Sequence, residues 1–357
     1  MLREQDRSHD VLTPDEGSEE ESSADQGRKT PTGIWNSIES GNSRHTRRKA
    51  NRGHNFQASV LVRGDSPPMY EKVVIVEPEM LDHVPSKAQS DSLYKGFMSG
   101  VHAISPVLHP PTILKSYHAF WDWYDRGSYS GEQCPDPSFL PLLYAIWYGG
   151  SATISIRVII AEFQVSSRAV LSELYNDQVT RWLTQISFPK SPSLHGLAAF
   201  LIVQTILSKE EEPLTSSLFI SRALRVAQMM GLHRDPAQFG ITSFEAESRR
   251  RVWWHIVHMD GVVAMSSGLP PLVSDENYWD VRETSEVKDT LLGTPQADQY
   301  ERLVIANLRP PDNPDDPTIC GGPSMVNVHY LSARGKYIMA RRSSLLDFSI
   351  ATVSKYP

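Results

Sequence analysis

The sequence predicts an all-α fold: a multi-helix, bundle-like domain preceded by a disordered, charged leader. Three observations carry that prediction. From Ser86 onward apolar residues recur at helical spacing. Capping and helix-stopping residues punctuate those runs. No convincing strand run competes with them, apart from Val73–Val76 in the leader.

The 357 residues carry 35 Lys+Arg against 42 Asp+Glu, with 40% hydrophobic residues and 2 cysteines. This is the composition of a soluble, mildly acidic chain with enough length for one large or two ordinary domains. Two cysteines, Cys134 and Cys320, rule out a disulfide scaffold, and with no Cys-x-x-Cys they start no thiolate zinc site. The amino terminus lacks the apolar stretch of a secretory signal. The long uncharged span Pro137–Ile156 reads as a buried helix or helix pair rather than a membrane span, because Pro141, Gly149, Gly150 and several hydroxyl residues interrupt it.

Charge divides the leader into two blocks, net −7 over Met1–Gly27 and +6 over Arg28–His54. Few large apolar residues precede Phe56, so residues 1–80 cannot bury enough surface to offset their ordering entropy and read as disordered or loosely ordered. The folded domain is expected over residues 86–350, with truncation at its C-terminus left open.

In the first predicted helix Leu93, Phe97, Met98 and Val101 share a face. After Pro110 and Pro111, Thr112 is the expected N-cap of a second helix with a broad aromatic stripe of Ile113, Tyr117, Phe120, Trp121 and Tyr124. Helices follow over Ser138–Glu162, Ser166–Ile186, Ser193–Leu207 and Thr215–Met230, the last closed by Gly231 as a left-handed cap. The best-punctuated helix starts near Thr242, which has capping-box spacing to Glu245. Glu245/Arg249 and Glu247/Arg251 are i, i+4 pairs in the favourable order. Its apolar face holds Val252, Trp253, Ile256, Val257, Val263 and Ala264, and Gly268 with Pro270 and Pro271 stops it. Beyond Pro271 the chain turns polar and reads as loop through Thr290–Thr318. A last amphipathic helix, Val326–Ile350, carries Tyr330, Leu331, Tyr337, Ile338, Leu345 and Leu346.

Three clusters bear on chemistry. His255, His258 and Asp260 could suggest metal ligands and, with them, an α-helical metal-dependent enzyme. Yet the i, i+3 histidine spacing departs from the i, i+4 spacing of helical zinc sites, so helix packing is the expected role. If Asp260 is buried it needs a partner, and Arg222, Arg225 and Arg234 are the nearest arginines on another element. Asp312, Asp315 and Asp316 sit among prolines that forbid a rigid helical platform, so they read as a solvated loop. The tract Arg44, Arg47, Arg48, Lys49 and Arg52 suits a nuclear-import signal or salt-sensitive, non-specific phosphate contacts with DNA, as well as a plain solvated charge run. No catalytic constellation is expected.

Four blocks in fixed order resemble a known family. They are Ala223–Asp235, with Gly231, Leu232, His233 and Arg234; Glu247–Trp254, with Arg249, Arg250, Arg251, Trp253 and Trp254; Asp260; and Gly268 with Pro270. Together they are similar to the fungal-specific transcription factor domain, the middle homology region of fungal zinc-cluster regulators. His109–Thr112, Phe120–Tyr124 and Leu142–Ile146 fit the same pattern. The resemblance implies an α-helical regulatory domain in a nuclear regulator of RNA polymerase II transcription, which restrains or releases activation. It implies other transcription proteins and a candidate small-molecule effector as partners, DNA only indirectly or non-specifically, and no membrane. The family's six-cysteine zinc cluster is missing, so zinc is expected only in members that possess it and no cofactor is expected here. A non-functional truncated fragment is the other alternative. The family-motif residues are expected to be architectural, with the arginine triplet on the helix flank and Trp253 anchoring the core.

Overall fold

A computed structural model describes residues 74–127, 132–207, 213–273, 276–308 and 325–353. Among the described residues the secondary structure is helical and no strand occurs; 74–76, inside the expected strand run, are irregular. The chain runs through α1 (Lys87–Ser99), α2 (Pro110–Gly127), α3 (Leu140–Thr153), α4 (Ile156–Phe163), α5 (Arg168–Gln185), α6 (Leu194–Leu207) and α7 (Pro213–Met229). It continues through α8 (Ser243–Ser267), α9 (Pro295–Ile305) and α10 (Met325–Val353). None of the described helices is long and apolar enough to cross a membrane.

Two hydrophobic cores form around two central helices. In α3, every residue from Leu140 to Ser151 is buried, which explains its lack of an amphipathic stripe. It packs against α1, α5 and α6. A Cβ on Gly150 would lie 2.1 Å from the Leu93 carbonyl oxygen, so glycine is what permits the close approach of α1. The uncharged span is largely the buried helix α3, and the single helix expected over Ser138–Glu162 is two: Ser155 accepts from the Val158 N–H at 3.4 Å to start α4 at Ile156. The aromatic stripe of α2 faces this first core, with Ile113, Tyr117, Phe120 and Trp121 buried. Its helix begins at Pro110 rather than after Thr112, since proline suits a first turn whose N–H groups lack helical partners. The Thr112 hydroxyl bonds the His109 ring instead, at 2.8 Å. Met80 and Leu81 are also buried here, so the end of the expected leader belongs to the body.

In the second core α8 packs against α10, α7 and α6, and all six apolar residues read from its sequence are buried. The capping box does not form: the Thr242 side chain makes no capping bond, and Glu245 pairs with Arg249. Gly231 and Gly268 stop α7 and α8 at φ of 73° and 70°, the left-handed conformation that glycine enters without Cβ strain. On α10, Tyr330 and Tyr337 are buried but Leu331 and Ile338 are exposed, against expectation.

The stretch read as loop contains α9. Thr294 caps it, accepting from the Ala297 N–H, Pro295 opens it, and Ala297 and Tyr300 bury its inner face in a small third core with Val287 and Leu292. The Pro/Asp-rich run 309–317, with Asp312, Asp315 and Asp316, lies outside the described residues.

Candidate functional site

The first half of α8 carries charge into the protein interior. Arg250 and Arg251 are buried rather than on the helix flank, while Arg249 is the partly exposed member of the triplet. A buried charge is tolerated only when it is paired and its remaining hydrogen-bonding capacity is met. Each partner here comes from another segment or from one turn away.

Arg250 donates from Nε and Nη2 to the two carboxylate oxygens of Asp235, at 3.0 Å each. Asp235 lies beyond the Gly231 stop. Its oxygens also accept from the backbone N–H groups of Ala237 (3.0 Å) and Arg282 (2.9 Å). Burial alone would raise this carboxyl, but the Arg250 guanidinium and the backbone donors outweigh it and hold Asp235 at about 2.

Arg251 joins three segments. It donates to Glu247 one turn earlier at 2.8 Å, to the Leu108 carbonyl at 2.8 Å and to both oxygens of Asp289. The second oxygen of Glu247 accepts from the Ser285 N–H at 3.0 Å. The sequence shows Glu247/Arg251 as an ordinary helical pair, yet both side chains are 1% exposed.

The remaining motif residues extend this framework. Leu232 is buried and donates its N–H back to the Ala227 carbonyl at 2.9 Å. The His233 carbonyl accepts from the Asp280 N–H, and Arg234 pairs with the Asp280 carboxylate at 2.9 Å. Trp254 donates its indole N–H to the Arg282 carbonyl at 2.8 Å, and Trp253 is 1% exposed. Asp260 is buried, but no arginine meets it: its two oxygens accept from the backbone N–H groups of Leu272 (3.1 Å) and Val273 (2.9 Å). It therefore fixes the chain just past Gly268 and the exposed Pro270. Burial raises its carboxyl against those two donors.

The candidate ligand set His255, His258 and Asp260 is not assembled. Asp260 serves the backbone, while the histidines stack with a third, His329 of α10. Ring centroids are 4.5 Å apart for His258 and His329, and 5.3 Å for His255 and His329. His255 sits 3.2 Å from His329 through Nδ1 and 2.8 Å from the Thr205 hydroxyl through Nε2, and the Lys336 ammonium lies 3.5 Å from the His258 ring nitrogens. Among the described residues no group of three or more His, Cys, Asp or Glu is arranged to hold a metal ion. Burial and the neighbouring charges push His258 down to about 3 and His329 to about 4, and His255 well below its usual range, so the imidazoles are neutral.

Nor do the cysteines fit a zinc cluster. Cys134 is buried in the first core, burial pushes its thiol up to about 11, and Cys320 lies outside the described residues. The basic tract Arg44, Arg47, Arg48, Lys49 and Arg52 also lies outside them. The geometry of α8 is thus that of a scaffold, with motif charges spent on holding backbone segments together.

A comparison with family models matches residues 95–279 to the fungal specific transcription factor domain. The chain belongs to this family. Within the fungal transcription factor domain fall all four sequence blocks and the Arg250–Asp235 pair, while Asp289 and His329 lie beyond the matched span. The transcription factor macR of Penicillium terrestre is 32% identical over 201 residues, 55% of this chain and 24% of macR. The transcription factor yanR of Aspergillus niger is 30% identical over 219 residues, 60% of this chain and 27% of yanR. An uncharacterized transcriptional regulatory protein of Schizosaccharomyces pombe is 30% identical over 210 residues, covering 59% and 32%. The chain therefore spans about a quarter to a third of the length of these curated relatives. No solved structure matches it.

Proposed function

We propose that the chain acts in the nucleus as a regulator of RNA polymerase II transcription, its helical domain restraining or releasing the activity of transcription proteins bound to it. The observation that carries this reading is the internal use of the family motif: Arg250, Arg251, Glu247, Asp235 and Asp260 all hold backbone or one another. Such a framework positions surfaces and offers no reacting group, so the domain is read as non-catalytic. The names of macR and yanR point the same way.

With two cysteines among 357 residues, the chain reaches DNA indirectly through partners, or non-specifically through the tract Arg44–Arg52, and needs no cofactor of its own. Tethering the chain to a heterologous DNA-binding domain tests the first claim. A reporter is expected to change with the wild-type chain and to return to baseline with Arg250→Ala; an unchanged reporter with a well-expressed wild-type fusion overturns it. A fluorescent fusion is expected in the nucleus and, after replacement of the five basic residues by alanine, in the cytoplasm as well.

A further inference from the structure

A cavity of about 520 Å³ opens at the seam between the two cores. Leu108, Ile113, Leu142 and Ala198 of the first core form one wall, and Val107 and Val252 of the second form another. Its volume lies in the range of sites that enclose small organic ligands, and its lining is mainly apolar, as such sites are.

The mouth has a different character. The first turns of three helices meet there: Pro111 and Thr112 of α2, Leu194 and His195 of α6, and Thr242 and Phe244 at the start of α8. A helix N-terminus favours an anion through its partial positive charge and orphan N–H donors. Pro110 and Pro111 bring no N–H to α2, and at α6 the Gly196 N–H is already taken by the Ser193 hydroxyl at 3.0 Å, so it is the start of α8 that offers first-turn donors. At α8 the capping hydroxyl is not engaged with those donors. Lys115 stands at the same rim and forms no salt bridge among the described residues. The acidic residue in the wall, Glu245, is already matched, its Oε1 accepting two bonds from Arg249 at 2.9 and 2.8 Å. His195 points Nδ1 at Asp136, 3.2 Å away.

We propose that this cavity binds an organic acid with an apolar body, the hydrocarbon part lying between the two cores and the carboxylate meeting Lys115 and the first turn of α8. The occupant bridges side chains of both cores. The same wall is tied to the family motif, because the Leu108 carbonyl accepts from Arg251 and the adjacent His109 ring bonds the Asp289 carbonyl at 3.1 Å. Occupancy therefore tightens the framework around α8. For that consequence the proposal rests on the regulatory reading; the binding itself does not.

Calorimetric titration of the full chain with decanoate, decan-1-ol and decyltrimethylammonium tests the site. Decanoate is expected to bind at one site and to raise the melting temperature. The alcohol should bind on the order of tenfold more weakly, the difference a charge-assisted contact makes, and the cation not at all. Ser248→Trp fills the cavity and should abolish binding. Lys115→Glu, at an exposed position that leaves the fold intact, should weaken decanoate on the order of tenfold and leave the alcohol unchanged. Absence of decanoate binding, equal affinity for decanoate and alcohol, or full affinity in a folded Ser248→Trp chain overturns the proposal. Decanoate binding beside an unchanged tethered reporter counts against the regulatory reading and leaves the site standing.

Discussion

Arg250 and Asp235 meet through two contacts of 3.0 Å, fifteen residues apart in the chain, across the connection that carries α7 into α8. This bidentate pair sets where α8 starts relative to the end of α7, and Asp235 at the same time holds the Arg282 N–H.

Removing one partner leaves the other buried and uncompensated. Asp235→Ala or Arg250→Ala is expected to lower unfolding stability by about 3 to 5 kcal/mol in urea denaturation. Arg250→Lys should recover only part of this, because an ammonium cannot serve both carboxylate oxygens in the planar fork.

Trp253 is 1% exposed, with its ring 6.1 Å from that of Trp279, and its indole nitrogen has no hydrogen-bond partner. Trp253→Ala should cost about 3 to 5 kcal/mol through the cavity left behind. Trp253→Phe keeps most of the volume and breaks no hydrogen bond, so a loss of less than about 2 kcal/mol is expected. A melting curve unaltered by the alanine substitution would show that α8 is not packed this way.

The stacked imidazoles make stability depend on pH. Histidines in the unfolded chain take up protons near pH 6.5, whereas in the fold His258 and His329 do so only at about 3 and about 4. The unfolded state therefore binds more protons throughout that window, so stability falls as pH drops below about 6.5 and the loss is complete near the folded values. Asp235, held at about 2, adds a second loss at lower pH, between its ordinary 3.8 and that value. Melting temperatures measured from pH 7 downward should show the decline, and His258→Gln should flatten its upper part.

At Gly150 a methyl group would meet backbone rather than a movable side chain, 2.1 Å from the Leu93 oxygen. Gly150→Ala is expected to push α1 off α3 and cost about 1 to 3 kcal/mol, read from chemical denaturation. Gly335→Ala, where nothing lies within 4 Å, is the control and should be neutral or slightly stabilising.

Much of the fold was legible because helix periodicity and stop signals are local. The apolar face of α8, the aromatic stripe of α2 and the left-handed stops at Gly231 and Gly268 were all visible as patterns of neighbours a few residues apart. The α9 helix was hidden by the polar composition around it, although Thr294-Pro295 with Ala297, Tyr300 and Val304 on one face was an available signal. What the sequence could not disclose is pairing at a distance. Nothing local marks Asp289 as the partner of Arg251 or His329 as the neighbour of His258, and Asp260 found backbone where an arginine was expected, because the acceptor geometry exists only once the chain has turned at Gly268.

Arg251 reaches the Leu108 carbonyl 143 residues upstream and the Asp289 carboxylate 38 residues downstream. A single guanidinium thus works as a rivet through three layers of chain, and neither the α2 side nor the segment leading into α9 can peel away without breaking it. Loosening at one edge therefore removes a contact that the other edge depends on, because both are held by the same side chain.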